Sequence, residues 1–278
     1  MRTLHLVLFL SSTLISAQIQ TPQPSPSSEI HQTVGLTEVK VAYSRPALRG
    51  RVIFGDLVPY GKLWRAGANK NSTLMFSDPV KIGGQPLEAG TYALYIRPGI
   101  KMWEVFFYTE TENWGLPQKW DPNLIAAVVE QPTEQLQNTV ESYTINIDDL
   151  SNNGANINIR WEQTQVNLVL EVPTDSKTMA SIEKTMNASP KAGDMYQAAV
   201  YYRESGRDLQ KAKVWISKAI ELDPDKYWMY RQQALILGEL NEKAAAISAA
   251  KTSLELAKKA GNQDYVRLNE KSITEWSK

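Results

Sequence analysis

The hydrophobic period of the chain changes from two to about 3.6 near Pro173, and this change limits the possible folds more than any other feature of the sequence. Between Glu38 and Val172, apolar and polar residues alternate in short runs, which is typical of half-buried β-strands. Beyond Pro173 the apolar residues recur every three or four positions, which is typical of amphipathic helices. The sequence therefore predicts a β domain over residues 37–173 and a helical region over residues 174–278.

The β part consists of about nine short strand-like runs, separated by turns rather than by helices. Its clearest turn is Gly83-Gly84, because two glycines supply the positive φ angles of a two-residue hairpin. Such spacing predicts an antiparallel β-sandwich or jelly-roll-like domain with a single core. Towards the end of the domain, separate strands are expected at 124–129, 142–147, 156–161 and 166–172.

The helical part contains a block, Tyr196 to Pro224, that resembles a tetratricopeptide repeat. Ala212, Ala219 and Pro224 occupy the small-residue and proline positions of that motif. A second, weaker unit follows, and two degenerate units are fewer than the three that a free-standing solenoid needs. We therefore expect a tetratricopeptide-like tail that either binds a protein partner or braces the β domain.

The N-terminus has the pattern of an export signal. A positive charge at Arg2 precedes an apolar run, and the small residue Ala17 ends it, which predicts a signal peptide over residues 1–17. The following Pro- and Ser-rich stretch predicts an extended linker over residues 18–36. No later run is apolar enough to span a membrane, so the expected location is the periplasm or the cell exterior.

Composition excludes several classes of function. The 30 basic and 30 acidic residues balance, so neither nucleic acid nor an acidic membrane surface is an expected partner. Cysteine is absent, and His31 is the one histidine beyond the predicted signal, which excludes Cys nucleophiles and Cys/His zinc sites. The sequence therefore predicts no catalytic residue, no metal and no cofactor, and it favours a non-enzymatic role.

Basic charge is concentrated in residues 44–71, the segment that we call the basic loop. It holds six Lys and Arg residues and a single acid, Asp56, inside an otherwise mildly acidic domain. Arginine forks match the oxygens of carboxylate, phosphate or sulfate, and aromatic rings offer a flat face to a sugar. The predicted ligand is a small anion or a sugar, and the candidate binding residues are Arg45, Arg51, Tyr60, Trp64, Arg65 and Asn69. The alternative is that these arginines pair with acids of the same domain and pin the loop.

A second candidate region spans Trp103 to Asp121, where tryptophans lie among carboxylates. Sugar-processing clefts use two carboxylates for acid–base work, so a hydrolase acting on cell-surface or environmental glycans is the alternative function. Strand alternation instead predicts Trp103 as a core residue. Asn113-Trp114-Gly115 is expected to form a turn with a packed tryptophan.

The run from Tyr43 to Asn69, Y-S-R-P-A-L-R-G-R-V-I-F-G-D-L-V-P-Y-G-K-L-W-R-A-G-A-N, is followed by G-G-Q-P-L-E-A-G-T-Y-A-L-Y. Together these segments resemble the domain of unknown function 2911 family, over roughly Glu38 to Val172. The resemblance implies an exported protein, mainly of Bacteroidota, with a β-rich domain and often a helical C-terminus. It implies no established activity, so the expectation remains an exported ligand-binding or scaffold protein.

Overall fold

The computed structural model describes residues 21–278, so the predicted signal peptide lies outside the described residues. The chain divides into two compact units, one ending at Thr174 and the other spanning Asp175–Lys278. The division lies next to Pro173, where the hydrophobic period changes. An antiparallel β domain followed by a helical tail, as predicted, is confirmed.

The described part of the first unit forms nine strands, and every pairing between them is antiparallel. The strands are β1 (Ser27–Val34), β2 (Thr37–Ser44), β3 (Thr73–Phe76), β4 (Val80–Ile82), β5 (Gln85–Leu87), β6 (Gly90–Pro98), β7 (Met102–Tyr108), β8 (Ile125–Ser151) and β9 (Gly154–Glu171). Their order in the sheet is β1-β2-β3-β6-β7-β8-β9-β4-β5, and the basic loop connects β2 to β3.

Strand β8 links the two parts of the sheet. Its first residues, up to Pro132, pair with β7, and from Thr133 onward it pairs with β9. The prediction of separate strands was therefore wrong. Apart from Leu124, the runs 124–129 and 142–147 belong to one 27-residue strand, and apart from Val172, the runs 156–161 and 166–172 belong to one 18-residue strand. Register shifts between Gln135 and Thr144 explain the error, because bulges interrupt the alternation while the strand continues.

The larger of two hydrophobic clusters in the described part of this unit lies between the two parts of the sheet, and both parts contribute to it. The fully buried side chains include Val41, Leu94, Phe107, Ile145, Ile157 and Leu168. Tyr43 on β2 also donates its hydroxyl hydrogen to the carbonyl of Ile145 on β8, at 3.0 Å. The two parts of the sheet therefore enclose a common interior. Residues of the basic loop, such as Ile53 and Ala66, are buried in the same interior.

The prediction of a linker over residues 18–36 was wrong for its second half, because Ser27–Val34 forms β1 and pairs with β2 along its whole length. Gly35, at φ +56°, makes the tight turn between the two strands. This strand lies at the edge of the sheet and is exposed or half-buried at every residue except Val34, so its polar residues outnumber the apolar ones that mark a strand. Among the described residues, the Pro- and Ser-rich composition correctly indicated non-regular structure only for 21–26, which precede β1.

The Gly83-Gly84 turn supplies a matched pair of substitutions. An added Cβ at Gly83 (φ +53°) would lie 2.1 Å from Cγ1 of Val129, whereas one at Gly84 (φ +79°) would meet no atom within 4 Å. Gly84→Ala is expected to lower the free energy of unfolding by about 1–2 kcal/mol, through the left-handed backbone alone. Gly83→Ala is expected to lower it by a further 1–3 kcal/mol, roughly, because the site is overpacked. Urea denaturation measures both, and equal losses would contradict the close packing of Gly83 on Val129.

The second unit is described throughout and forms six helices. They are α1 (Thr174–Met186), α2 (Ala192–Glu204), α3 (Leu209–Leu222), α4 (Tyr227–Glu239), α5 (Lys243–Lys259) and α6 (Gln263–Trp276). Small residues such as Ala212 and Ala219 are buried where these helices meet. No helix within residues 21–278 has the length and apolar character that crossing a membrane requires.

The first turn of α1 is tied to the neighbouring helices by Asp175. Its carboxylate accepts hydrogen bonds from Arg207 (2.5 Å) and from the hydroxyl of Tyr201 (2.8 Å). These bonds, that of Arg207 first, hold the pKa of Asp175 below its ordinary value. Asp175 therefore fixes the start of α1.

Candidate functional site

The basic loop is irregular but firmly attached to the sheet. Trp64 exchanges two backbone hydrogen bonds with Ile96 on β6, each 2.8 Å long. Ile53 and Ala66 are fully buried in or beside the core. Gly67 takes φ +140°, and a Cβ there would lie 2.9 Å from Oγ of Ser72, so only glycine fits this turn. The loop is therefore held in one path across the edge of the domain.

This path encloses a cleft of about 350 Å³, which we call the arginine cleft. Three arginine side chains and two tryptophan rings stand out in its lining, and part of the N-terminal segment forms one wall. The residues concerned are Arg49, Arg51, Arg65, Trp64, Trp161 and Ser25.

Among residues 21–278, the three guanidinium groups of the cleft donate hydrogen bonds only to main-chain carbonyls. Their acceptors are Pro24 for Arg49, Ala47 and Leu48 for Arg51, and Asn69 for Arg65. None of the three forms an ion pair with a carboxylate of residues 21–278. The nearby carboxylate of Glu141 instead accepts from the backbone N–H of Arg49, at 2.9 Å. Since each guanidinium carries five N–H donors, several donors at this cleft remain for a ligand.

The tryptophans of the cleft belong to a rigid aromatic cluster. Trp64 and Trp161 are stacked, with ring centroids 5.8 Å apart and planes inclined by 19°. Tyr143 meets both rings edge-on, at 5.2 and 5.8 Å. Burial raises the pKa of the Tyr143 hydroxyl well above its ordinary value, and this hydroxyl has no partner among the described residues. The cleft therefore combines unpaired positive charge with an apolar floor.

Of the six predicted binding residues, the structure brings Arg51, Trp64 and Arg65 together in the arginine cleft. Arg45 lies outside its lining and donates to the carbonyl of Tyr143 (3.2 Å) and to Oγ1 of Thr144 (2.8 Å). Arg45 thus pins the loop to β8. The alternative interpretation predicted this role for all the arginines of the loop, but through ion pairs with acids, whereas Arg45 uses a main-chain carbonyl and a hydroxyl.

The other two predicted residues also lie elsewhere. Tyr60, 42% exposed, lines a separate cavity of about 240 Å³ beside Trp103. Asn69, at φ +62°, donates to the carbonyl of Ser25 and to Oγ of Ser44, both at 3.2 Å. Asn69 holds Ser25, which lines the arginine cleft, whereas Tyr60 belongs to a different cavity.

Sequence reasoning missed Arg49 and Trp161 as parts of the cleft. Arg49 stands two residues before Arg51 in the same basic run, so the local charge was a sufficient signal. Trp161 lies on β9, and alternation predicts only that one face of this strand is buried. Its position in the cleft follows from the pairing of distant strands.

The segment from Trp103 to Asp121 gives a mixed result. The prediction that Trp103 is a core residue is confirmed, since it is 1% exposed. The prediction of a packed Trp114 was wrong, because its side chain is 73% exposed. The N–H of the preceding Asn113 is bound instead by the side chain of Asn71, at 2.9 Å, and this leaves the indole outside.

Three of the four carboxylates of this segment have local structural partners. Glu104 pairs with Arg97 at 2.8 Å, Glu112 pairs with Lys70 at 2.6 Å, and Asp121 accepts from the N–H of Asn123. Within residues 21–278, no three His, Cys, Asp or Glu side chains are grouped so as to hold a metal ion. This geometry gives no support to a carboxylate pair that acts on glycans.

Comparison with known proteins places the β unit in a family. No curated protein is similar enough to the chain to be matched. The model of a family described as protein of unknown function (DUF2911) matches residues 25–170. The match covers more than half of the 278 residues, and it includes β1, the basic loop and nearly all of β9. The resemblance inferred from the basic loop is therefore confirmed: the chain belongs to the DUF2911 family.

Proposed function

We propose that the β unit is a non-enzymatic binding module for a small anion, which it holds in the arginine cleft. The observation that carries this proposal is the meeting of Arg49, Arg51 and Arg65 at one cleft with no carboxylate partner.

We also propose, from the signal-like N-terminal sequence, that the protein works in the periplasm or outside the cell. Mass spectrometry of protein recovered there is expected to find Gln18 as its first residue, and an intact Met1 would contradict export.

The chemistry of the lining favours an anion over a neutral sugar. Guanidinium forks bind carboxylate, phosphate or sulfate oxygens through two parallel hydrogen bonds. The stacked Trp64 and Trp161 exclude water from one side of the cleft, which strengthens such bonds. Tyr60, the exposed ring that a sugar would use, lies at another cavity. The cleft volume, about 350 Å³, is that of a small-molecule site.

Anions that occupy the cleft are expected to raise the melting temperature of the full chain. A ligand that binds only the folded state stabilises it by RT ln(1 + [L]/Kd), so a concentration of about 100 Kd adds roughly 2.7 kcal/mol. Phosphate, sulfate, citrate and benzoate are compared with chloride at equal ionic strength in a thermal-shift assay. A rise that saturates with one of these anions is the expected result. Identical melting in every salt would contradict the proposal.

A further inference from the structure

The helical unit contains a second candidate site, which is independent of the arginine cleft. A groove of about 490 Å³ lies among α1, α2 and α3. Met179, Ile182 and Met186 of α1 line one wall, and Trp215 of α3 lines the opposite side. We call this feature the methionine groove.

The apolar wall of the groove is incompletely covered within the unit. Met179, Ile182 and Met186 are spaced at i, i+3 and i+7, so they form one stripe along α1. All three are half-buried and pack only partly against the core of α2 and α3, as does Met195. Methionine side chains are flexible and polarisable, which suits a surface that accepts another apolar face.

Unpaired positive charge borders the same groove. The ammonium of Lys211 lies over the rings of Tyr202 (5.5 Å) and Trp215 (4.9 Å), and Lys218 follows on α3. Neither lysine forms an ion pair with any residue in the described range 21–278, whereas Lys213 on the same helix pairs with Glu242 at 2.6 Å. The groove thus has a basic edge along α3.

We propose that the methionine groove binds an amphipathic helical segment of a partner protein with acidic side chains along one edge. Lys211 and Lys218 are seven residues apart on a helix, which separates them by about 10.5 Å. Acidic residues at i and i+7 of a docked helix have the same spacing, and its apolar face would lie on the methionine stripe. Glu183, on the α1 side, disfavours acids on the other edge and so sets the orientation of the segment.

Selection from a random library of 12-residue peptides displayed on phage tests this proposal with the full chain as target. The expected result is enrichment of peptides that combine apolar residues with Asp or Glu. The double variant K211E/K218E is expected to lose these peptides, with at least a tenfold weaker Kd for the best one in fluorescence anisotropy. The matched control K251E/K259E reverses two exposed lysines of α5, away from the groove, and is expected to retain them.

The apolar half of the site is tested by M186E, which is expected to weaken the same peptide while leaving the helical circular dichroism of the chain intact. A library that yields no enriched peptide would overturn the proposal. So would enriched peptides without acidic residues, or acidic peptides that bind K211E/K218E and the parent equally well. If K211E/K218E loses its helical circular dichroism signal, the test rests on M186E alone. Peptide binding to M186E that is as tight as to the parent would then overturn the proposal.

Discussion

Replacement of Trp103 by alanine is expected to lower the free energy of unfolding of the β unit by about 3–5 kcal/mol. The ring is 1% exposed and lies 4.8 Å from the ring of Phe54, between the sheet and the basic loop. Its removal leaves a cavity that the surrounding strands cannot fill. The shift is measured by guanidinium denaturation, followed through the near-ultraviolet circular dichroism of the aromatic cluster.

The matched control is Trp114→Ala, which removes the same side chain from a position that is 73% exposed. A surface substitution of this kind is expected to change the free energy of unfolding by no more than about 0.5 kcal/mol. Comparable losses in the two variants would contradict the opposite positions assigned to these tryptophans. They would also revive the prediction that Trp114 is packed.

Arg51→Ala and Arg65→Ala are each expected to weaken anion binding by about tenfold to a hundredfold, because a hydrogen bond to a charged group contributes about 1.5–3 kcal/mol. Stability should fall by less than about 1 kcal/mol in either variant, since no buried carboxylate is left without its partner. Isothermal titration calorimetry with the anion that gives the largest thermal shift measures the affinity. Urea denaturation measures the stability.

Arg97→Ala is the control for these two variants. Arg97 pairs with Glu104 on the neighbouring strand, outside the lining of the arginine cleft, so its removal is expected to leave the affinity unchanged. A different result would be a loss of about 3–5 kcal/mol in the free energy of unfolding for both cleft variants, together with no anion-dependent thermal shift in the parent. The basic loop would then be a structural brace, and the binding proposal would be wrong.

The sequence was sufficient for the fold class because period is a local property. Alternation up to Val172 and helical spacing after it identified the two units from neighbouring residues alone. The continuity of β8 could not be inferred from neighbouring residues. Its bulges interrupt the alternation of apolar and polar residues while the strand stays paired with β9. The edge strand β1 was missed for a related reason, because Ile30 and Val34 are too few apolar residues to mark it.

The charge of the candidate site and one of its rings, Trp64, were predictable from the sequence, but the geometry of the site was not. The concentration of arginines is visible in the sequence, but their directions depend on the path of the loop. Positive φ angles at Arg49, Ala66 and Asn69 turn that path, and such angles are uncommon in residues other than glycine, so the sequence does not mark these turns. The turn at Arg49 lies between Arg45 and Arg51, and these two arginines have different hydrogen-bond partners although they stand close together in the chain. Trp161 joins the cleft through sheet pairing, which no short motif encodes.

An NMR titration that observes the arginine Nε–H resonances of the full chain tests the central claim most directly. The anion identified by thermal shift is added stepwise, and each arginine is assigned by single substitution. The resonances of Arg49, Arg51 and Arg65 are expected to move together and to saturate at one common Kd, while that of Arg97 stays in place. Movement of Arg97 to the same extent, or no movement of the three cleft arginines, would contradict an anion site in the arginine cleft.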